Sequence, residues 1–355
     1  MKLRILAIFF AFSMVFSLTS CFAALRNDSK TEETIDPNNP NSKTVNVYTL
    51  NGTTGFGMAK LMEDAQNGAL TSASYCFNVK TDASEILAAL INGDADIAAL
   101  PTNAASTVFN KTKGGVQIVA INTLGCLFLL NTGNNAVSTI AELGGKTVYA
   151  PAQNPTFILT YLCQQNGLTV VDHENPAANE VFIDSQSYAQ PAALRDAVAA
   201  GQVELAVLPE PMVTIAVNKG KTANVEVKVQ VDLTAEWDKL PEKANTLVQG
   251  CLVVRTAFLE ANPDLVADFL TAYEASIGYL NTNVEEASAL VAKHGIFENA
   301  NVAKVAIPKC NVRYIDGEEM KTAVSAYLTI LSQINMSSIG GALPTDGFYY
   351  LGKAA

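Results

Sequence analysis

From residue 44 to about residue 250, apolar positions alternate between short runs and longer stretches with helical spacing. The runs VNVYTL, ASYCFNV and ADIAAL are typical of strands, and stretches such as SEILAALIN are typical of amphipathic helices. Strands that alternate with helices of about ten residues predict parallel sheets with helices on both faces. Beyond the run GCLVVRT the pattern predicts helices alone. The chain is therefore predicted to be an α/β protein.

A repeated phrase links two halves of this pattern. GDADIAALPTNAAS begins at Gly93 and GQVELAVLPEPMV begins at Gly201, and each follows a helical apolar stretch. In both, a strand is predicted to end at Leu-Pro and a helix to follow. Open α/β sheets bind ligands in the loops at the carboxyl ends of their strands. The repeat predicts two similar halves that face a shared cleft, although ordinary βα packing would also produce it.

The first residues have the pattern of an export signal. Lys2 and Arg4 precede an almost unbroken apolar run, which is shorter than the roughly 20 residues of a membrane span. The run ends in LTSC, which resembles a bacterial lipobox; this resemblance implies cleavage before Cys21 and a diacylglycerol on its thiol. Residues 1–20 are thus predicted to be a lipoprotein signal peptide. An ordinary secretory signal with an incidental cysteine is the alternative.

Residues 21–43 are predicted to be a lipid-anchored flexible tether, because the stretch RNDSKTEETIDPNNPNSK has too few aliphatic residues to build a core. The body that follows is long enough for two domains. The whole chain has 16% charged residues and a formal net charge of −11. An acidic composition without a basic cluster argues against a nucleic-acid partner and against a polybasic membrane patch.

The spacing of the cysteines predicts neither a metal site nor a full disulfide framework. Five cysteines follow Cys21, and no pair of them has metal-ligand spacing. Cys126 in LGCLFLL and Cys251 in QGCLVVR lie in similar apolar settings and could be neighbours that form a bridge. Buried free thiols are the favoured interpretation, since free cysteine is among the most buried residue types. We expect no metal and no cofactor.

Four segments carry a resemblance to a known family: ILAALINGDADIAALPTNAA, AELGGKTVYAP, the LPEP loop and VRTAFLEANPDLVADFL. The chain resembles extracytoplasmic solute-binding proteins of ABC importers, of the nitrate/sulfonate/taurine and thiamine-precursor (NMT1-like) group. The resemblance implies the type II periplasmic binding-protein fold, in which two α/β domains are joined by two crossover strands with a ligand cleft between them. Domain I would comprise residues 44–125 and 250–355, and domain II residues 126–249, with LGCLFLLN and VQGCLVVR as the crossovers.

The resemblance places the ligand at loops that follow the strands. The candidate ligand-binding residues offer hydroxyls, amides, a phenol and a carboxylate: Asn51, Thr53, Thr54, Thr81, Thr102, Asn103, Gln153, Asn154, Thr156, Tyr188 and Glu210. Gln186 lies in the loop of Tyr188, and Asp82, beside Thr81, is equally expected to cap a helix. Thr53 or Thr54 could instead be an N-cap, and Glu210 could instead have a helix-dipole or hinge role.

The function implied by the resemblance is capture of a small polar solute outside the membrane and delivery to the permease and ATPase of an ABC importer. The domains would close around the solute, and the protein would be a lipid-anchored, extracytoplasmic monomer. Because Lys80 is the one cation near these loops, a neutral or weakly basic molecule such as a pyrimidine or thiamine precursor is favoured. A sulfonate- or nitrate-type anion stays open, since helix N-termini alone can bind anions.

Two other function classes stay open as well. An NMT1-like enzyme would share the fold, but catalysis needs positioned acid–base or nucleophilic groups. The two histidines, His173 in a polar loop and His294 at a helix end, form no triad or metal motif. We therefore expect no catalytic residue and no enzyme activity, and we expect His294 to contact terminal carbonyls. A sensory ligand-binding module would have the same sequence features as a transport protein.

Overall fold

The computed structural model describes residues 43–134 and 136–352, which all belong to one compact unit. The predicted signal peptide, Cys21 and all but the last residue of the predicted tether lie outside the described residues. Within the described ranges, no helix is both long enough and apolar enough to cross a bilayer.

The strands and helices follow one another as the alternation predicts. The strands in the described ranges are β1 (Thr44–Leu50), β2 (Ser74–Lys80), β3 (Ile97–Pro101), β4 (Val116–Thr123), β5 (Leu127–Asn131), β6 (Lys146–Tyr149), β7 (Thr169–Val171), β8 (Glu180–Asp184), β9 (Leu205–Pro209), β10 (Lys228–Asp232), β11 (Gly250–Arg255) and β12 (Val312–Ile315). The α-helices are α1 (Thr53–Phe56), α2 (Ala59–Gln66), α3 (Ala83–Asn92), α4 (Thr102–Thr112), α5 (Asn154–Gln165), α6 (Pro191–Ala199), α7 (Met212–Thr222), α8 (Leu233–Asp238), α9 (Thr256–Ala261), α10 (Pro263–Thr282), α11 (Val284–Lys293), α12 (Ala300–Ala306) and α13 (Gly317–Asn335).

These strands form two six-stranded sheets in the described part of the chain. The order of the first is β12-β4-β11-β3-β1-β2, and the order of the second is β10-β5-β9-β6-β8-β7. We call the first sheet with α1–α4 and α9–α13 the first lobe, and the second sheet with α5–α8 the second lobe. The chain passes between the lobes through two crossing segments, residues 124–126 and residues 239–249.

Both sheets are mixed, whereas the alternation predicts parallel sheets. β1 is parallel to β2 and β3, and β6 is parallel to β8 and β9. The strands that follow the crossing segments run the other way: β11 is antiparallel to β3 and β4, and β5 is antiparallel to β9 and β10. The reason is the direction in which the chain enters the sheet. β11 arrives from the second lobe at the edge where β3 ends, with Gly250 opposite Pro101, so it must run back along β3.

Several short elements are absent from the predicted pattern. The pattern predicts only helices beyond GCLVVRT, but β12 lies there and is antiparallel to β4. β7, α8 and α12 also have no predicted counterpart, and each of these four elements has seven residues or fewer. Such lengths are too short for a hydrophobic period to be visible. The stretch STIAEL contains a 3₁₀ helix (Ile140–Leu143), and the strand predicted over NVEVKVQV begins only at Lys228.

One buried core continues from lobe to lobe beside the crossing segments. It includes Cys251 of the first lobe and Leu127 of the second. α13 extends this contact, because it packs against α4 and β4 of its own lobe and against α5 of the other. The ring of Trp237 on α8 lies 6.2 Å from that of Tyr327 on α13 and 5.0 Å from that of Tyr161 on α5, measured between centroids. The last long helix therefore ties the two lobes together by an aromatic contact.

Candidate functional site: a cleft between the lobes

Loops at the carboxyl ends of strands from both lobes meet at a cleft. In the first lobe β1 and β3 lead into α1 and α4, and in the second lobe β6 and β9 lead into α5 and α7. Two hydrogen bonds join these loops from lobe to lobe, one from Thr53 to Glu210 and one from Asn154 to Asn103. All four residues are candidates from the sequence, and the structure brings them together in pairs.

Thr53 reaches the second lobe with its hydroxyl group. Its Oγ1 donates to the carbonyl oxygen of Glu210 at 2.7 Å and lies 3.7 Å from Cys310 Sγ. The N-cap of α1 is Gly52, whose φ of 82° is a conformation that favours glycine, and no side chain caps this helix. Neither Thr53 nor Thr54 is therefore an N-cap. Thr54 contributes its carbonyl oxygen, which accepts a side-chain hydrogen bond at 3.2 Å within the first lobe.

The carboxylate of Glu210 is turned towards its own helix. The residue is 2% exposed, and its carboxylate oxygens accept hydrogen bonds from Thr214 N–H at 3.1 Å and from Thr214 Oγ1 at 3.0 Å. Lys309 Nζ of the first lobe lies 3.8 Å from Glu210 Oε1. Burial raises the pKa of Glu210 above its usual value, although Thr214 and Lys309 act in the opposite direction. The carboxylate thus lies at the first turn of α7, where the helix dipole favours negative charge. Glu210 contacts the first lobe through its carbonyl oxygen, which accepts from Thr53, and through its carboxylate, which pairs with Lys309.

Asn103 and Asn154 face each other from the two lobes. Asn154 Nδ2 donates to Asn103 Oδ1 at 3.0 Å, and Asn103 Nδ2 donates to the carbonyl oxygen of Ser338 at 3.3 Å. Asn154 Oδ1 is buried and has no hydrogen-bond partner in the described part of the chain. The buried Thr102 hydroxyl interacts with the Cys251 thiol but has no partner of normal geometry among the described residues. Two polar oxygens at this contact are therefore unsatisfied.

Two other candidates use their side chains within their own loops. Asp82 accepts a hydrogen bond from Ser84 N–H at 2.8 Å and caps α3. Thr156 Oγ1 donates to the carbonyl oxygen of Pro151 at 2.8 Å. Both side chains hold the shape of a loop at the cleft, so their hydrogen-bonding capacity for a solute is reduced.

The loops of the second lobe also contribute an aromatic pair. Tyr188 packs edge-on against Tyr149, with ring centroids 5.7 Å apart and an interplanar angle of 68°. Gln153 and Gln186 are exposed. These residues supply exposed amides beside two half-buried rings.

A cavity of the cleft has a volume of about 780 Å³ and lies between the lobes. Asn51 and Thr81 of the predicted set line it, together with residues 295–299 between α11 and α12 and with Asn301 and Val302 of α12, none of which is a candidate from the sequence. The wall from the second lobe comes from α6 and α7: Arg195, Met212, Ile215, Asn218, Lys219 and Thr222. A volume of this size is typical of a small-molecule site.

Two cations of this wall correct the expectation that Lys80 is the one cation near the binding loops. Arg195 and Lys219 line the cavity, and both contact Asp196, through Arg195 Nε at 2.8 Å and Lys219 Nζ at 2.8 Å. These contacts lower the pKa of Asp196 well below its usual value. Arg195 and Lys219 escape sequence analysis because they lie on two successive helices, whose facing sides are fixed only by tertiary packing. The shared carboxylate partly neutralises their charge.

The thiols and histidines give no sign of reactive chemistry. The five cysteines of the described part are free, and all except Cys76 are buried, so Cys126 and Cys251 do not form a bridge. Burial raises the pKa of both of these thiols to about 12. His294 Nε2 lies 2.9 Å from Glu63 Oε2 instead of at terminal carbonyls. Among the residues described, no group of His, Cys, Asp or Glu could hold a metal ion.

Gln249 joins the two crossing segments and was not among the candidates from the sequence. Its N–H donates to the carbonyl oxygen of Thr123 at 3.0 Å, and its Oε1 accepts from Cys126 N–H at 2.7 Å. Its carbonyl oxygen accepts from Thr102 N–H at 3.3 Å. One residue at the base of the cleft therefore contacts both crossing segments and the start of α4.

No protein-family model and no curated protein matches the chain, but solved structures do. The structure of an ABC transporter from Parabacteroides distasonis has a TM-score of 0.69 and 22% identity, and the match covers 86% of this chain and 98% of that one. For the periplasmic aliphatic sulphonate binding protein SsuA from Escherichia coli, the TM-score is 0.63 and the identity 16%, over 88% and 95% of the two chains. The chain has the type II periplasmic binding-protein fold.

A third match to this fold is the periplasmic nitrate-binding protein NrtA from Synechocystis PCC 6803. Its TM-score is 0.56 and its identity 14%, over 83% of this chain and 82% of that one. The fold class expected from the sequence, two α/β lobes joined by two crossovers with a cleft between them, is confirmed. At these identities the likeness establishes the fold, and the solute has to be argued from the cleft itself.

Proposed function

We propose that this protein captures a small polar solute outside the cell membrane and delivers it to an ABC importer. The observation that carries the proposal is the meeting of strand-end loops from opposite lobes, where Thr53 contacts Glu210 and Asn154 contacts Asn103. A solute at this point would touch both lobes. Proteins of the same fold that are named for sulfonate and nitrate binding give the proposal further support.

The mechanism follows from the two crossing segments. A solute that contacts both lobes only when they are closed binds the closed form more tightly, and it therefore shifts the population towards closure. Hinge closure of this kind needs few flexible residues between rigid bodies. Residues 124–126 and 239–249 meet this requirement, and Gln249 holds them together.

The closed form would dock on a membrane permease that is driven by an ATPase. We propose that a lipid on Cys21 anchors the mature protein, and that the tether to residue 43 leaves the body free to reorient close to the membrane. We further propose that the protein acts as a monomer. Binding without catalysis is favoured, because the cleft offers amides and hydroxyls and because burial raises the pKa of Cys126 and Cys251.

The test is a thermal-shift screen of the full-length protein, purified in mild detergent, with pyrimidines, amino acids, sulfonates and nitrate. A solute at 100 times its dissociation constant should raise the free energy of unfolding by about 2.7 kcal/mol and the midpoint by several degrees. Native mass spectrometry of the same sample would detect a co-purified molecule.

Two double variants connect the binding to the cleft. Replacement of Thr102 and Asn103 by Ala, or of Asn154 and Thr156 by Ala, should weaken the binding of the active compound at least tenfold, because each removes polar groups from one lobe. Thr271→Ala, which removes an exposed hydroxyl bonded within α10, should leave binding unchanged. Unchanged affinity in both doubles would rule out this cleft as the binding site.

A further inference from the structure

Within the proposed function, we infer that the solute presents a hydrogen-bond donor, an N–H or O–H group, to Asn154 Oδ1. The inference concerns the class of solute and goes beyond the statement that the cleft binds one. It rests on the direction of a short chain of amide hydrogen bonds that runs from the first lobe to the second.

The direction of this chain is fixed at its first member, the main-chain carbonyl oxygen of Ser338. A carbonyl oxygen can only accept a hydrogen bond, so the group of Asn103 that faces it at 3.3 Å must be the NH₂ group, Nδ2. The amide oxygen of Asn103 must then face the second lobe. Asn and Gln amides are oriented by such networks, and here the network leaves one orientation.

The same reasoning fixes the orientation of the Asn154 amide in the second lobe. Since Asn103 presents its oxygen, Asn154 must donate Nδ2 to it, at a distance of 3.0 Å. Asn154 Oδ1 is then left over as an acceptor, and it is buried without a partner in the described part of the chain. Asn103 is only 5% exposed, so water cannot freely replace either amide in this series of hydrogen bonds.

The neighbouring hydrogen bonds hold this arrangement in place. Ser106 Oγ donates to the carbonyl oxygen of Ile339 at 2.9 Å, and Asn110 Nδ2 donates to the same oxygen at 3.0 Å. α4 is therefore held along the segment that contains Ser338 by several contacts. Rotation of the Asn103 amide would break the bond to Ser338 and place two oxygens face to face.

An acceptor at the contact between the lobes selects among solutes. Nitrate and simple alkanesulfonates such as methanesulfonate carry only acceptor oxygens, so they cannot donate a hydrogen bond to Asn154 Oδ1. Amides, amines, aminopyrimidines and hydroxyl-bearing solutes can donate to it. Asp196 pairs with both Arg195 and Lys219 of the cavity wall, which reduces the attraction of this wall for anions but leaves one positive charge uncompensated.

Isothermal titration calorimetry on the full-length protein tests the inference with two sets of probes. The donor set is cytosine, 4-amino-2-methylpyrimidine, glutamine and acetamide, and the acceptor-only set is nitrate and methanesulfonate. We expect binding from the donor set and none from the acceptor-only set. For a bound donor probe, Asn154→Leu should weaken binding roughly tenfold or more, because it removes the Oδ1 acceptor, together with the Nδ2 donor to Asn103, at nearly constant size.

Two further variants distinguish the loss of the acceptor from a loss of folding. Asn154→Asp keeps oxygen acceptors at the position and should bind the donor probe more tightly than Asn154→Leu does. Asn166→Leu removes a similar amide at the other end of α5, where Nδ2 bonds to Leu162 within the helix, and should bind as the wild type does. The thermal midpoint of each variant without solute would verify that it is folded.

The outcomes are distinct for the two proposals. If nitrate or methanesulfonate binds the wild type and Asn154→Leu equally well, solute capture stands and the donor inference is overturned. If a donor probe binds but Asn154→Leu and Asn154→Asp bind it as the wild type does, the donor inference is also overturned. If neither set binds to the folded wild type, the proposed function fails and the inference fails with it.

Discussion

At the scale of single residues, two of the buried polar atoms that lack a hydrogen-bond partner among the described residues, Thr102 Oγ1 and Asn154 Oδ1, lie in loops at the cleft. Thr102 is completely buried, yet its hydroxyl has no partner of normal geometry among the described residues. An unsatisfied buried hydroxyl costs about 1–3 kcal/mol, and its removal without a change of shape recovers part of that. The hydroxyl of Thr102 is therefore expected to lower the stability of the folded protein.

The prediction from this is that Thr102→Val stabilises the protein in the absence of solute. Valine keeps the branched shape, so we expect the free energy of unfolding to rise by about 1 kcal/mol and the thermal midpoint by roughly 2 °C. Thr112→Val on the same helix is the matched control, because Thr112 Oγ1 bonds to Val108 O and Gly115 N, and it should lower the midpoint. A lower midpoint for Thr102→Val would mean that the hydroxyl is satisfied.

The sequence predicts which residues lie in loops at the ends of strands better than it predicts which hydrogen bonds their side chains make. Asn103 and Asn154 follow the ends of β3 and β6, and strand ends of parallel pairs are ligand-binding positions. Asp82 and Thr156 occupy similar positions, yet both bond within their own loops. The difference depends on which partners the folded loops bring within hydrogen-bond distance, and a local sequence pattern does not contain this information.

At the scale of elements, α13 shows that the sequence can predict a helix without predicting which elements the helix contacts. Its apolar spacing predicts a helix with one buried face, but the spacing does not say which elements cover that face. In the structure Tyr327 on α13 meets Trp237 of the second lobe, with ring centroids 6.2 Å apart. Trp237 in turn donates through Nε1 to Thr246 Oγ1, in the second crossing segment, at 2.9 Å.

We therefore predict that Tyr327→Ala destabilises both lobes together. Loss of a fully buried aromatic ring leaves a cavity and should cost about 3–5 kcal/mol of the free energy of unfolding. Tyr327→Phe should cost little, since the phenol oxygen has no partner in the described part of the chain. Chemical denaturation measures both values, and emission from Trp237, the one tryptophan of the sequence, should change in the alanine variant alone. Equal stability of the two variants would show that α13 does not tie the lobes together.

At the scale of the whole molecule, the alternation of strands and helices and the repeated Leu-Pro phrase predict the two-lobed α/β fold. They do not predict the antiparallel strands β5 and β11, because strand direction depends on where the chain enters a sheet and not on local pattern. The same limit explains why Gln249 was missed. It lies in an ordinary apolar run, and its role comes from the meeting of two crossing segments that are far apart in the sequence.

Gln249 gives the last prediction, which concerns the stiffness of the hinge. Cys126 is 4% exposed, and its N–H donates to Gln249 Oε1 at 2.7 Å, so Gln249→Ala would leave a buried N–H unpaired at a cost of about 1–3 kcal/mol. We expect faster hydrogen–deuterium exchange at Cys126, a lower free energy of unfolding and weaker solute binding. Gln249→Glu keeps an oxygen acceptor at the same place and should retain most of the protection. If exchange at Cys126 is equally slow in the wild type and in Gln249→Ala, the side chain of Gln249 does not hold the crossing segments together.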